Sequence, residues 1–267
     1  MEKMKDLRLA VLIDAENIPA SSVQGLLEEV AKYGTPTFKR IYADWTKPHV
    51  VAWKNLLLEH AITPIQQYSY TSGKNATDSA MIIDAMDILY TGRVDGFCIV
   101  SSDSDFTRLA TRLREAGMRV FGLGERKTPL AFISACDKFI YLEILKRQKE
   151  QVENERPAEK PARRTTRPQK EAAPPPAEEE TPIRPIDRQL VRLISESIND
   201  LADDDGWVAL GDLGNMLLKK QPDFDTRNYG FKKLVPLIRS IDRFETDEQP
   251  SGKGNARHVF VRLRARR

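Results

Sequence analysis

Leu7-Arg8-Leu9-Ala10-Val11-Leu12-Ile13-Asp14 is the stretch on which the reading of the fold turns. It is short, apolar apart from Arg8, and ends on a carboxylate. That is the pattern of a strand buried on both faces rather than one with a wet side. Working outward, Val23 to Tyr33 carries apolar residues at Val23, Leu26, Leu27 and Val30, which is helical spacing. The alternation then repeats. Strands are predicted at Thr37 to Ala43, Ile62 to Gln66, Gly96 to Ser101 and Met118 to Leu123, and helices at Val50 to His60, Thr77 to Leu89 and Phe106 to Ala116. Parallel strands need long crossovers, so this alternation predicts an α/β unit, a parallel sheet flanked by helices. In such sheets the ligand site lies at the carboxyl ends of the strands.

The chain has 267 residues and a net charge of +3, with 40% apolar residues. The length predicts two domains. The charge balance excludes a uniformly basic, histone-like protein, so any nucleic-acid surface must be local. Cys98 and Cys136 are the only cysteines, which excludes a disulfide framework and a cysteine-rich zinc site. No apolar run approaches the roughly 18 residues of a membrane span, so the chain reads as soluble and cytoplasmic, with no membrane partner. Between Lys146 and Pro185 lie half of the sixteen prolines, with dense mixed charge. Such a segment buries too little surface to offset its ordering entropy. The expected organisation is therefore a first domain over 1–145, a disordered linker over 146–185 and a second domain over 186–267.

The strand-end rule selects the polar residues of interest. Asp14 ends the first apolar run, in Ile13-Asp14-Ala15-Glu16-Asn17, and Asp103 and Asp105 follow Phe97-Cys98-Ile99-Val100. Asp78 opens the helix after the loop Ser72 to Thr77. Taken singly, any one of these acids reads more readily as a helix cap or first-turn dipole partner than as a ligand. Asp14 does so least, because Pro19 and Ser21 are the better start signals for the next helix. Ser102 with Asp105, and Asn75 with Asp78, are spaced as capping boxes. Taken together, several carboxylates converging without a matching cation repel one another, and a divalent ion removes that cost. Oxygen ligands without Cys or His point to Mg²⁺ or Mn²⁺. The expected metal ligands are Asp14, Asp103 and Asp105. Asp78 completes the cluster or orients a water. Asn17, Ser101, Ser102 and Ser104 position phosphate or a metal-bound water, and Lys74 meets a phosphate oxygen.

Val11-Leu12-Ile13-Asp14-Ala15-Glu16-Asn17-Ile18, Lys74-Asn75-Ala76-Thr77-Asp78 and Val100-Ser101-Ser102-Asp103-Ser104-Asp105-Phe106 together resemble the NYN domain, a branch of the PIN-like, metal-dependent nucleases. The resemblance covers about Leu7 to Leu145. The family's first acid and its asparagine fall on Asp14 and Asn17, its mid-domain acid on Asp78 and its late pair on Asp103 and Asp105. The late motif often has Gly where this chain has Ser102. The resemblance implies a five-stranded PIN-like parallel sheet, Mg²⁺ or Mn²⁺, and RNA as substrate.

Other motifs carry less. Phe121-Gly122-Leu123-Gly124 reads as a tight turn at the sheet edge rather than a nucleotide cradle, because no third glycine follows. Trp45 and Trp53 read as packing, while Tyr68 and Tyr70 are candidates for stacking on an unpaired base.

The second unit opens with Leu190, Leu193, Ile194, Ser197, Ile198 and Leu201 at helical spacing. Further helices are predicted at Leu213 to Leu218 and Tyr229 to Arg239, then strand-like runs at Phe244 to Thr246 and Val259 to Leu263. Three short helices and a β-hairpin describe a small winged helix. Beyond Glu248 the chain is basic and free of acids, a local phosphate-binding surface. Gly206-Trp207-Val208, Leu213-Gly214-Asn215-Met216-Leu217 and Tyr229-Gly230-Phe231-Lys232-Lys233-Leu234 are similar to the LOTUS, or OST-HTH, domain, a family associated with RNA binding. By that resemblance Arg227, Lys232 and Lys233 contact RNA, with Lys253 and Arg257 on the wing; the same fold also binds proteins. The expected function is metal-dependent ribonuclease action at the acidic cluster, assisted by a flexibly tethered RNA-binding module. The alternatives are a non-catalytic RNA- or protein-binding regulator and an acid-cluster phosphatase.

Overall fold

The computed structural model describes residues 6–68, 76–147, 184–203, 205–250 and 257–264. The decisive stretch is β1 (Leu7–Asp14). It lies inside a six-stranded sheet with β2 (Gly34–Ala43), β3 (Thr63–Gln66), β4 (Gly96–Val100), β5 (Arg119–Gly124) and β6 (Lys138–Tyr141), in the order β3-β2-β1-β4-β5-β6. Every pairing is parallel. The crossovers contain α1 (Val23–Val30), α2 (Lys54–Glu59), α3 (Ala76–Tyr90), α4 (Thr107–Glu115) and α5 (Leu130–Ala135).

The continuous apolar run of β1 is explained by its two buried faces. Ala10 and Leu12 pack into a core with α3, α4 and α5 residues such as Met81, Leu109 and Phe132. Leu9, Val11 and Ile13 pack into a second core with Leu26 and Val30 of α1 and with Trp53. Period-2 side chains thus feed both layers, and both layers are apolar. Among the described residues no helix is long and apolar enough to cross a membrane.

The sheet has six strands where the resemblance implied five. The sixth, β6, is only four residues long, preceded by charged Asp137 and followed directly by helical residues 142–147. It has little room to show a period. The Gly-x-Gly of β5 is also not an edge turn, because β5 is flanked by β4 and β6. A Cβ at Gly122 would stand 2.5 Å from the Phe139 ring, and one at Gly124 would stand 2.6 Å from the Ser101 carbonyl oxygen. These glycines admit neighbouring groups.

The second domain contains α6 (Arg188–Leu201), α7 (Leu210–Lys220), α8 (Leu234–Arg239) and a small sheet ordered β7 (Val208–Ala209), β9 (Arg257–Leu263), β8 (Phe244–Pro250). Asp187 caps α6 by accepting the Leu190 N–H at 2.8 Å. The expected helix from Tyr229 to Arg239 is divided. A 3-10 turn over Thr226–Tyr229 stops at Gly230, whose φ is 83°, and α8 begins only at Leu234. A left-handed residue ends a helical run, so Lys232 and Lys233 precede the helix rather than opening it. The stretch 148–183 of the expected linker lies outside the described residues.

Candidate active site

Ile13 of β1 pairs with Val100 of β4, so Asp14 and Ser101 leave adjacent strands side by side. Asp14 is 1% exposed. Its Oδ2 accepts from Asn17 Nδ2 at 2.6 Å and from Ser101 Oγ at 2.8 Å, and its Oδ1 accepts the Glu16 N–H at 3.0 Å. Burial raises the Asp14 pKa, opposed by these three hydrogen bonds. Ser101 Oγ accepts the Asp103 N–H at 3.1 Å. One buried hydroxyl therefore joins the first motif to the last.

Asp103 Oδ1 accepts the Asp105 N–H at 2.9 Å and so caps the 3-10 turn Ser104–Phe106. The cap sits one residue later than the Ser102–Asp105 spacing suggested. Ser102 Oγ instead accepts the Glu125 N–H at 2.8 Å, linking the turn to the end of β5. Asp78 stands in the first turn of α3. That helix is fastened to β2 by Asp84, which accepts from both Arg40 and the Tyr42 hydroxyl. The sequence carries a signal for this clamp, an aspartate set inside the apolar run Met81 to Met86.

Carboxylate oxygens of Asp78, Asp103 and Asp105 lie within 4.8 Å of one another. Asp78 is pushed up to about 6 by burial first, then by the negative charges of Asp14, Asp103, Asp105 and Glu16. Those four neighbours are all carboxylates. An oxygen-only, strongly negative cluster is the donor set a hard divalent cation fits. The three acids brought together differ from the expected ligand set of Asp14, Asp103 and Asp105. Asp14 lies beside this trio, the first-named of the negative charges acting on Asp78, with its two oxygens accepting three protein donors.

The remaining expected residues are distributed as follows. Asn17, half-buried, donates its side-chain amide to Asp14. Ser102 is 7% exposed, while Ser104 is exposed beside Asp105. Lys74, Tyr70 and Lys253 lie outside the described residues; Tyr68 is 53% exposed. Trp53 is buried and Trp45 donates to the Ile65 carbonyl at 3.0 Å, both in packing roles. Lys232 and Lys233 are exposed. Arg257 pairs with Glu248 at 3.0 Å and Arg262 with Glu245 at 3.0 Å, so acids of β8 partly neutralise the wing. Arg227 is not on an open face. Its guanidinium is shared between Glu29 and Asp225, at 2.7 Å from each.

The family model described as NYN domain matches residues 8–143, and the OST-HTH/LOTUS domain model matches residues 181–256. No curated protein matches the chain. A solved protein of unknown function from Vibrio parahaemolyticus is 20% identical over 53% of this chain and 96% of its own, with a TM-score of 0.44. An uncharacterized protein from Nitrosomonas europaea is 31% identical over 38% of this chain and 95% of its own, with a TM-score of 0.30. A Chromobacterium violaceum fragment is 30% identical over 33% of this chain and 87% of its own, with a TM-score of 0.25.

Proposed function

The chain belongs to the NYN domain family, and from that membership, together with the OST-HTH/LOTUS domain behind it, we propose that it is a divalent-metal-dependent ribonuclease with its own RNA-holding module. The carrying observation is the meeting of Asp78, Asp103 and Asp105 oxygens within 4.8 Å at the carboxyl ends of a parallel sheet.

Asp78, Asp103 and Asp105 would hold Mg²⁺ or Mn²⁺. A bound ion of this kind supplies an acidified water and charge compensation for a leaving oxygen. The chain's own residues do the rest. Asp14 anchors the site from beneath, because three donors fix its carboxylate and its negative charge faces Asp78. Ser101 keeps the Asp103 turn in register with β1. Ser104 offers an exposed hydroxyl next to Asp105 for a phosphate oxygen, and Tyr68 offers an exposed ring for an unpaired base.

The rival is a non-catalytic RNA-binding protein whose acids are caps. One observation favours it, since Asp103 does cap a turn. Capping does not explain why Asp78 and Asp105 crowd the same point. The deciding measurement incubates end-labelled single-stranded RNA, single-stranded DNA and p-nitrophenyl phosphate with Mn²⁺ or with a chelator. Cleavage of RNA alone, abolished by the chelator, is expected. Intact RNA with Mn²⁺ would leave the rival standing, and hydrolysis of the small ester would indicate a phosphatase.

Affinity for RNA resides on the second domain. Lys232→Ala with Lys233→Ala is expected to weaken binding uniformly across sequences. It should lower the slope of log affinity against log salt by about 1.4, roughly 0.7 per single-strand phosphate contact. Filter binding between low and moderate salt reads this directly, and an unchanged slope would remove both lysines from the interface.

A further inference from the structure

The two domains touch along one side of the sheet. Strand β6 is the sheet's outer strand, and its Phe139 N–H donates to the Pro222 carbonyl of the second domain at 2.9 Å. At the end of the same strand, the Tyr141 hydroxyl donates to Asp223 Oδ2 at 2.7 Å. Arg184, just ahead of α6, donates to that same Asp223 oxygen at 2.6 Å, and its backbone N–H donates to the Asn228 carbonyl at 2.8 Å. Asn228 is fully buried and donates to the Asp223 carbonyl at 2.9 Å.

A second clasp lies on α1. Glu29 has a side chain only 1% exposed, and its two oxygens accept from the two terminal nitrogens of Arg227 at 2.9 and 2.7 Å. Lys32 and Tyr33, in the turn after α1, donate to the same carboxylate at 2.6 and 2.9 Å. Lys138 of β6 lies 4.9 Å over the Tyr33 ring, and Asp225 holds the other side of Arg227. A two-pronged guanidinium–carboxylate pair demands a defined orientation of both partners. Removing one partner leaves the other charge buried and uncompensated, a strongly unfavourable outcome.

We propose that the second domain is a docked, rigid part of the nuclease. It is seated on the β6 edge by Glu29–Arg227 and Tyr141–Asp223–Arg184, so that RNA held on it meets the carboxylate cluster at one fixed spacing. The docking removes Arg227 and Arg184 from RNA contact and leaves that work to the exposed Lys232, Lys233 and the wing. It also covers an edge strand that would otherwise present unpaired backbone groups. The fixed spacing rests on the ribonuclease reading; the docking does not.

The test measures a distance. Nitroxide labels at Glu115→Cys on α4 and Lys219→Cys on α7 report inter-domain separation in the full chain, because Cys98 and Cys136 are buried and escape labelling. A single narrow distribution is expected for the parental chain. Arg227→Ala and, as a gentler variant, Glu29→Gln are each expected to broaden it severalfold. A parental distribution as broad as the Arg227→Ala one overturns the docking, and a narrow one in both variants overturns the clasp. Cleavage is read separately. Product ends on a long RNA should cluster at one spacing for the parental chain and spread for Arg227→Ala. If no RNA is cut, the distance measurement still decides.

Acid supplies a second check on the clasp. Burial disfavours the Glu29 carboxylate, but its hydrogen bonds to Arg227, Lys32 and Tyr33 and the Arg227 charge outweigh that and hold its pKa at about 2, below the ordinary 4.5. A depressed carboxylate contributes stability above its unfolded pKa and loses it as pH falls toward the folded one. The narrow distribution should therefore persist from pH 8 to about pH 5 and broaden only below about pH 4. Broadening already at pH 6 would count against the clasp.

Discussion

Asp78→Asn is expected to lower the cleavage rate by about 10³-fold while raising the melting temperature of the metal-free chain. The two effects have one cause. Asp78 is crowded by Asp103 and Asp105 and pressed by the Asp14 charge, so its ionised form is held at an electrostatic cost. Asparagine keeps the shape and removes the like-charge repulsion, which is worth on the order of 1–2 kcal/mol in a half-buried setting. The same change deletes one of the three charged oxygens proposed to hold the cation, and is expected to lower the affinity for it. Asp103→Asn should behave alike in activity, because its amide oxygen can still cap the Ser104–Phe106 turn. Thermal melts with and without Mn²⁺, beside single-turnover cleavage, measure both quantities. Parental cleavage rates in both variants would remove the cluster from the chemistry.

Gly122→Ala is expected to lower stability by about 3 kcal/mol, near 10 °C in melting temperature for a chain of this size. The added Cβ would lie 2.5 Å from the Phe139 ring and 2.8 Å from Cys136 Sγ. Both belong to the core shared by α3, α4 and α5, and a close-packed interior has no adjacent void to absorb a methyl group. Phe139 is also the residue whose N–H reaches Pro222, so displacing β6 should loosen the second domain together with the core. A thermal melt gives the first effect and the inter-domain label pair gives the second. A melting temperature within about 2 °C of the parental value, less than 1 kcal/mol, would show that the ring can move aside cheaply.

Much of the first domain was legible because burial imposes a simple pattern. The β1 run, the helical spacings and the acids at strand ends follow from period and from the geometry of parallel sheets. The NYN and LOTUS resemblances rested on short ordered motifs and were matched over 8–143 and 181–256. What stayed hidden was short or depended on distant partners. Four residues of β6 carry no measurable period, and Gly230 breaks the third helix through a single backbone angle.

The sequence by itself determined which residue types stand at the mouths of β1, β4 and α3, because chain direction and hydrophobic period place them there. Only the tertiary structure decided how those residues divide the work. Asn17, Ser101 and the Glu16 N–H all donate to Asp14, and oxygens of Asp78, Asp103 and Asp105 come within 4.8 Å of one another. The same holds for Arg227, which in sequence is one more arginine near a basic face. Its partner Glu29 lies 198 residues away, and a pairing across that separation is set by the packing of two whole domains, which no local pattern records.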